Sequence, residues 1–127
     1  MAVYCGVDIV EIDRIMQSME STGDAFKKRV LTENEINYCE ARNGAKFQSY
    51  AARFAAKEAV SKAFGTGFTS SVKWRDIEIL NDGNGKPYVV LSSGSKEIFG
   101  KMKGKGISLS LSHCKSHAVA YAVIETE

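Results

Sequence analysis

Apolar and polar residues alternate from Val3 to Ile12, which predicts a strand. Val3, Cys5, Val7 and Ile9 share one face, and Tyr4, Gly6, Asp8 and Val10 share the other. Asp13 is placed to cap a short helix carrying Ile15, Met16 and Met19, which Ser21, Thr22, Gly23 and Asp24 break. Phe26 to Leu31 is a mixed basic and apolar segment. Thr32, Glu33, Asn34 and Glu35 then spell a capping box, predicting a helix to about Arg42 that Asn43-Gly44 ends. The longest helical stretch runs from Lys46 to Phe64 and closes at Gly65-Thr66-Gly67. Beyond it the period shortens. Val72 to Leu80 alternates weakly, the turn-rich segment Asn81 to Pro87 follows, and Tyr88 to Leu91 returns as a partner strand. Ser95 to Lys103 suits a short helix, and Ile107 to Ser112 and Ala118 to Ile124 suit two strands joined by a tight return. The expected class is α+β: a mainly antiparallel sheet packed with a long central helix and shorter helices.

Composition narrows the function classes. The 127 residues, 44% of them hydrophobic with a single proline, fit one domain spanning 1–127. Seventeen basic against fifteen acidic residues leave a net charge of +2, too balanced to bind nucleic acid by bulk electrostatics. No apolar run approaches the roughly 18 residues of a membrane span, and no basic leader opens the chain, so neither membrane association nor a signal peptide is expected. Cys5, Cys39 and Cys114 are scattered, with no CxxC pair, which points to a reduced cytoplasmic protein without a disulfide framework.

Four features sit uneasily with a plain core. Projected at 100° per residue, Phe47, Tyr50, Ala51 and Phe54 make an apolar stripe on the long helix. Glu58 falls at the centre of its continuation, and Ser61 and Lys62 at its edges. Glu58 and Lys62 also read as a solvated i,i+4 surface pair. Asp8 interrupts an apolar strand; taken alone, that strand favours the row of Tyr4, Gly6, Asp8 and Val10 facing solvent, whereas a buried Asp8 needs a cation or donors. Together Asp8 and Glu58 can supply two oxygen ligands to Mg²⁺, whose other positions go to water and phosphate oxygens. Lys46, Arg53, Lys57 and Lys62 can solubilise the helix or reach a polyanion from several sides. The backbone N–H groups of Gly65 to Gly67 can cap the helix or meet a phosphate. Ser108, Ser110 and Ser112 line one face of a strand ending at His113, an exposed edge or the polar wall of a ligand site. His117 is expected on a solvent-facing turn, and Cys39 as a small core residue.

Three stretches together resemble the short holo-acyl-carrier-protein synthases, the 4'-phosphopantetheinyl transferases. They are Gly6 to Arg14, Arg53 to Gly67 with Lys57-Glu58 and Lys62 inside it, and Leu109-Ser110-Leu111-Ser112-His113 with the strand after it. The segment Phe26 to Glu35 also fits, so the resemblance covers essentially the whole chain. It implies transfer of the phosphopantetheine arm of coenzyme A to a serine hydroxyl of apo acyl carrier protein, as in fatty acid biosynthesis, releasing adenosine 3',5'-bisphosphate. It implies Mg²⁺ held by Asp8 and Glu58, with Lys62 stabilising the leaving phosphate and Glu58 helping to remove the serine proton, directly or through water. Lys46, Arg53, Ser61, Gly65, Gly67, Ser112 and His113 match coenzyme A positions. Arg14 and the cations Lys27, Lys28 and Arg29 would steer the acidic carrier protein, with Met19 and Phe26 as apolar anchors. Gln17, Ser18, Ser21 and Thr22 stand in the first helix where related enzymes tend to be more basic, and Glu20 and Asp24 add opposing charge. The resemblance further implies a homotrimer with active sites between subunits. A non-catalytic nucleotide-binding module of this fold, and a metal-dependent phosphoesterase, remain the alternatives.

Overall fold

The computed structural model describes residues 1–127. Strand β1 (Val3–Glu11) leads into helices α1 (Ile12–Thr22), α2 (Asp24–Val30) and α3 (Glu33–Glu40), and a 3₁₀ turn (Asn43–Ala45) enters α4 (Lys46–Phe64). A second 3₁₀ turn (Trp74–Asp76) precedes the hairpin of β2 (Ile77–Asn81) and β3 (Pro87–Leu91). Helix α5 (Ser93–Lys101) and strands β4 (Gly104–His113) and β5 (His117–Thr126) complete the chain. All strand pairs are antiparallel, but they form two sheets rather than one: β1-β5-β4 and β2-β3.

Local signals place several boundaries where the sequence predicts them. The α4 limits coincide, and Gly65 ends the helix in the left-handed region at φ 81. The Thr32 capping box is complete: Glu35 N donates to Thr32 Oγ1 (3.3 Å) and Thr32 N donates to Glu35 Oε1 (2.8 Å). Other expectations shift. Asp13 lies inside the first turn of α1, not at its cap; the cap residue is Glu11, and Ile12 N instead donates to Ser116 O in the β4–β5 turn (2.9 Å). The basic segment after Gly23 is itself helical, as α2, because Gly23 at φ 61 breaks the chain between two helices. Helix α3 stops at Glu40 because the chain turns through Asn43, at φ 52.

Small residues set the distance between α4 and the larger sheet. Ala55, Ala56, Ala59 and Ala63 on the helix and Ala120 and Ala122 on β5 are almost wholly buried in one cluster with Ile77, Ile79 and Ile124. The closest approach is at β1. A Cβ on Gly6 would lie 2.0 Å from Ala59 O and 2.8 Å from Ala63 N, so the helix rests directly on the strand backbone. That contact decides which face of β1 looks inward. The row of Gly6, Asp8 and Val10 meets α4, and the apolar row of Val3, Val7 and Ile9 is turned outward, Ile9 65% exposed. Taken alone, the strand favours the reverse, but only the row with a residue lacking a Cβ can accept the helix at this spacing.

Lys57 is the second departure. It is not a cation reaching outward: its side chain and that of Glu35 are both 0% exposed and pair at 2.7 Å. Lys57 Nζ also donates to Trp74 O (3.0 Å) and Ile77 O (2.8 Å), and Glu35 Oε2 accepts from Ile79 N (2.8 Å). All three ammonium hydrogens thus have acceptors, which makes the burial tolerable; removing one partner alone costs on the order of 3–5 kcal/mol.

Candidate functional site

The inward row of β1 and the outward-tilted end of α4 bring three charged side chains together. Asp8 and Lys62 pair at 3.2 Å, and Lys62 Nζ also donates to Val7 O at 2.9 Å. Glu58, one turn before Lys62, is half-buried beside them. Its carboxyl is held above the usual range, first by burial and then by the Asp8 charge, with Lys62 pulling the other way. Asp8 Oδ2 is buried with no hydrogen-bond partner. Two carboxylates in one half-buried corner, one with an orphaned oxygen, suit a divalent cation that would satisfy both. No group of three or more acidic, histidine or cysteine side chains could hold a metal on its own. The pair therefore suits an ion that leaves positions for water and phosphate, which is the habit of Mg²⁺.

The residues around the pair have other duties. Ser61 is buried and its hydroxyl donates to Glu58 O (2.7 Å). Gly65 N donates to Lys62 O (2.9 Å) and Gly67 N to Ser61 O (3.1 Å), so both glycines spend their N–H groups capping α4.

The remaining coenzyme A candidates lie elsewhere. Arg53, Ser112 and His113 line a cavity of about 380 Å³ with Arg42, Ser49 and Asn81. The Arg53 side chain is buried, 3% exposed, donating to Asn81 Oδ1 and to Ser49 Oγ (3.4 Å) and stacking 4.1 Å over the Tyr38 ring. Its Nε has no partner. Three cationic or protonatable groups, a polar serine wall and a stacking ring make an anion-binding lining. Asp8, Glu58 and Lys62 are not part of it. They stand at the β1 edge of the sheet, while Ser112 and His113 stand on β4 at the opposite edge, with β5 between. Arg42 is a cavity cation that sequence reasoning passed over; its place just before the long helix was the available signal. Lys46 does not line the cavity; it pairs with Glu40 at 3.7 Å.

A third group surrounds a cavity of about 520 Å³ that opens beside the Asp8 strand. Ile9, Val10, Arg14, Ile15, Phe26 and Phe54 contribute to it. Phe26 and Phe54 stack at 6.0 Å between ring centroids, and Phe54 stacks on Trp74 at 4.8 Å. Arg14 and Phe26 thus line one cavity, and Lys28 is exposed on α2. Three neighbouring expectations change. Lys27 is tied to Glu40 (3.5 Å), which also accepts from Tyr50 Oη (2.5 Å). Met19 is buried at 4% exposure in the helical core and offers no surface anchor. His117 is half-buried in this cavity rather than on an open turn, its Nδ1 2.7 Å from Ser116 Oγ. Cys39 lies in the core, against Ser49 Oγ at 3.3 Å.

Comparison with known proteins agrees on one family. A family model described as the 4'-phosphopantetheinyl transferase superfamily matches residues 4–122. A curated holo-acyl-carrier-protein synthase of Ruminiclostridium cellulolyticum is 56% identical over 124 residues, covering 98% of this chain and 92% of its own. The crystal structure of the Neisseria meningitidis holo-acyl-carrier-protein synthase superposes with a TM-score of 0.88 at 34% identity, covering 97% of this chain and 98% of that one. The Helicobacter pylori synthase, solved in complex with coenzyme A, gives 0.85 at 33% identity over 95% and 99%.

Proposed function

The chain belongs to the 4'-phosphopantetheinyl transferase superfamily, and on that premise we propose that Asp8, Glu58 and Lys62 form its reacting centre. It is an enzyme that moves 4'-phosphopantetheine from coenzyme A to a serine of apo acyl carrier protein, giving the holo protein needed for fatty acid biosynthesis. The observation that carries the reacting centre is the buried, orphaned Asp8 Oδ2, on a carboxylate that pairs with Lys62 and whose charge acts on Glu58. Bound there, Mg²⁺ would neutralise charge on the coenzyme A diphosphate. Glu58, whose carboxyl is made a stronger base by burial, takes the proton of the attacking serine, directly or through a water. The serine oxygen bonds to the phosphorus carrying pantetheine, and the bond from that phosphorus to the bridging oxygen breaks. Lys62, half-exposed and within reach of Asp8, stabilises the charge that develops on the departing bisphosphate. Purified protein with Mg²⁺ and coenzyme A should add one phosphopantetheine mass to apo acyl carrier protein, and EDTA should stop the gain. An equal mass gain after complete metal removal would overturn the Mg²⁺ assignment.

The cationic cavity of Arg53, Arg42 and His113 suits the phosphate and adenosine end of coenzyme A. Because it lies across the sheet from Asp8, we assign the two halves of each active site to neighbouring copies, in a homotrimer. The outward apolar row of Val3, Val7 and Ile9, with Tyr121 beside it on β5, supports a buried interface there. Mixing two inactive variants, Glu58→Gln and Arg53→Ala, and letting subunits exchange should restore measurable turnover, since some interfaces then carry both intact halves. No recovery after verified exchange would place each site within one chain. The groove of Arg14, Phe26 and Phe54, with Lys28, suits the carrier protein. Three free thiols fit a reducing cytoplasm, and no helix is long and apolar enough to cross a membrane.

A further inference from the structure

The buried ion pair between α3 and α4 touches neither cavity nor the carboxylate corner, yet one of its members is the residue immediately before Glu58. We propose that the Lys57–Glu35 pair is a positioning device: it fixes the rotation of α4 about its own axis and so aims Glu58 at Asp8. The proposal rests on the assignment of Asp8 and Glu58 as reacting-centre carboxylates.

The geometry is specific to rotation. Lys57 reaches away from β1, and its ammonium is held by Glu35 Oε1 at 2.7 Å, Trp74 O at 3.0 Å and Ile77 O at 2.8 Å. These acceptors come from α3, from the turn after α4 and from β2, so the three bonds form a tripod that resists twisting in either sense. Glu35 is itself immobilised, by Thr32 N at 2.8 Å and Ile79 N at 2.8 Å. Position 58 follows by about 100° around the helix and faces β1. The Gly6 contact with Ala59 fixes how closely α4 approaches the strand. Against turning, the β1 side of the helix is held by the half-exposed Lys62, bonded to Val7 O and Asp8, and the far side by the buried Lys57 tripod. A Glu58 carboxylate stands roughly 6 Å from the helix axis, so a turn of about 10° moves it about 1 Å. Displacements of that size cost on the order of a hundredfold in rate.

A role in stability alone and a role in aiming Glu58 separate in one double variant. Lys57→Met leaves a buried, unpaired Glu35 and should be strongly destabilised. Glu35→Gln with Lys57→Met removes both charges and fills the volume, and the one amide oxygen still accepts from either Thr32 N or Ile79 N, so its Tm should recover part of the loss. Turnover should not recover with it: kcat stays tenfold to a hundredfold below the parent, measured well below Tm, while KM for coenzyme A stays within about twofold. A double variant with restored Tm and parental kcat would overturn the proposal. So would one that does not fold, which would assign the pair to stability alone, or a loss confined to KM. Glu58→Gln runs alongside: if it keeps full turnover, the reacting-centre assignment fails instead, and the two failures are told apart.

Discussion

Replacing Asp8 by asparagine or Glu58 by glutamine should lower turnover on the order of a hundredfold to a thousandfold, the scale expected for removing a charged group that acts on the transition state. The fold should survive, and for Glu58→Gln it should gain. The Glu58 carboxyl sits above its ordinary range because burial and Asp8 disfavour its charged form. Its folded value being raised, ionised Glu58 costs stability at pH above that value. The cost disappears as pH falls through the raised value toward the ordinary one. Glutamine removes the same cost at neutral pH, so Tm should rise slightly while turnover falls. Thermal melts of both metal-free proteins from pH 7 down to 4 check the sign: the gap between them should close on acidification. Parental turnover in both variants would remove these carboxylates from the mechanism.

Gly6→Ala should be nearly as damaging, although Gly6 has no side chain to contribute. The added Cβ would stand 2.0 Å from Ala59 O, a backbone atom that cannot swing aside. Either β1 or α4 must move, at a cost of about 3 kcal/mol, the upper part of the usual range for overpacking. For a chain of this size that is a fall in Tm on the order of 10 °C. Parting the two elements also parts Asp8 from Glu58 and Lys62, so kcat should drop on the order of a hundredfold even where the variant is fully folded. Calorimetry and turnover at 20 °C read the two effects separately. Unchanged Tm and kcat would show that the strand and helix are not in the contact described. Gly6→Val should be worse on both counts.

These two sites also show what the sequence could and could not reveal. The long helix, its glycine end and the Thr32 capping box are written in neighbouring residues, so their boundaries were legible. Which way β1 faces was not, because the answer lies in a helix fifty residues away and in the missing Cβ of Gly6. Counting apolar residues pointed the wrong row inward, since alanines and a glycine make the tight core while the larger Val3, Val7 and Ile9 remain outside. Lys57 was misread for a related reason. A lysine on a helix full of cations looks solvated until Glu35 and two carbonyls arrive from other elements. Nothing in spacing links Asp8 to Glu58; the family resemblance suggested it, and the fold sets Lys62 and Asp8 in contact. The split between the Arg53 cavity and the carboxylate corner was invisible for the same reason, being a property of the strand order β1-β5-β4.

That strand order leaves β1 at the edge of its sheet, with unpaired backbone groups alongside the exposed Val3, Val7 and Ile9. On the proposed trimer, a newly made subunit carries an adhesive margin until it meets its own kind. In a cell, enzyme output would then rise more steeply than gene dosage at low expression. Halving the supply of chains would forfeit more than half of the active sites, and the stranded remainder would be the fraction most exposed to proteases.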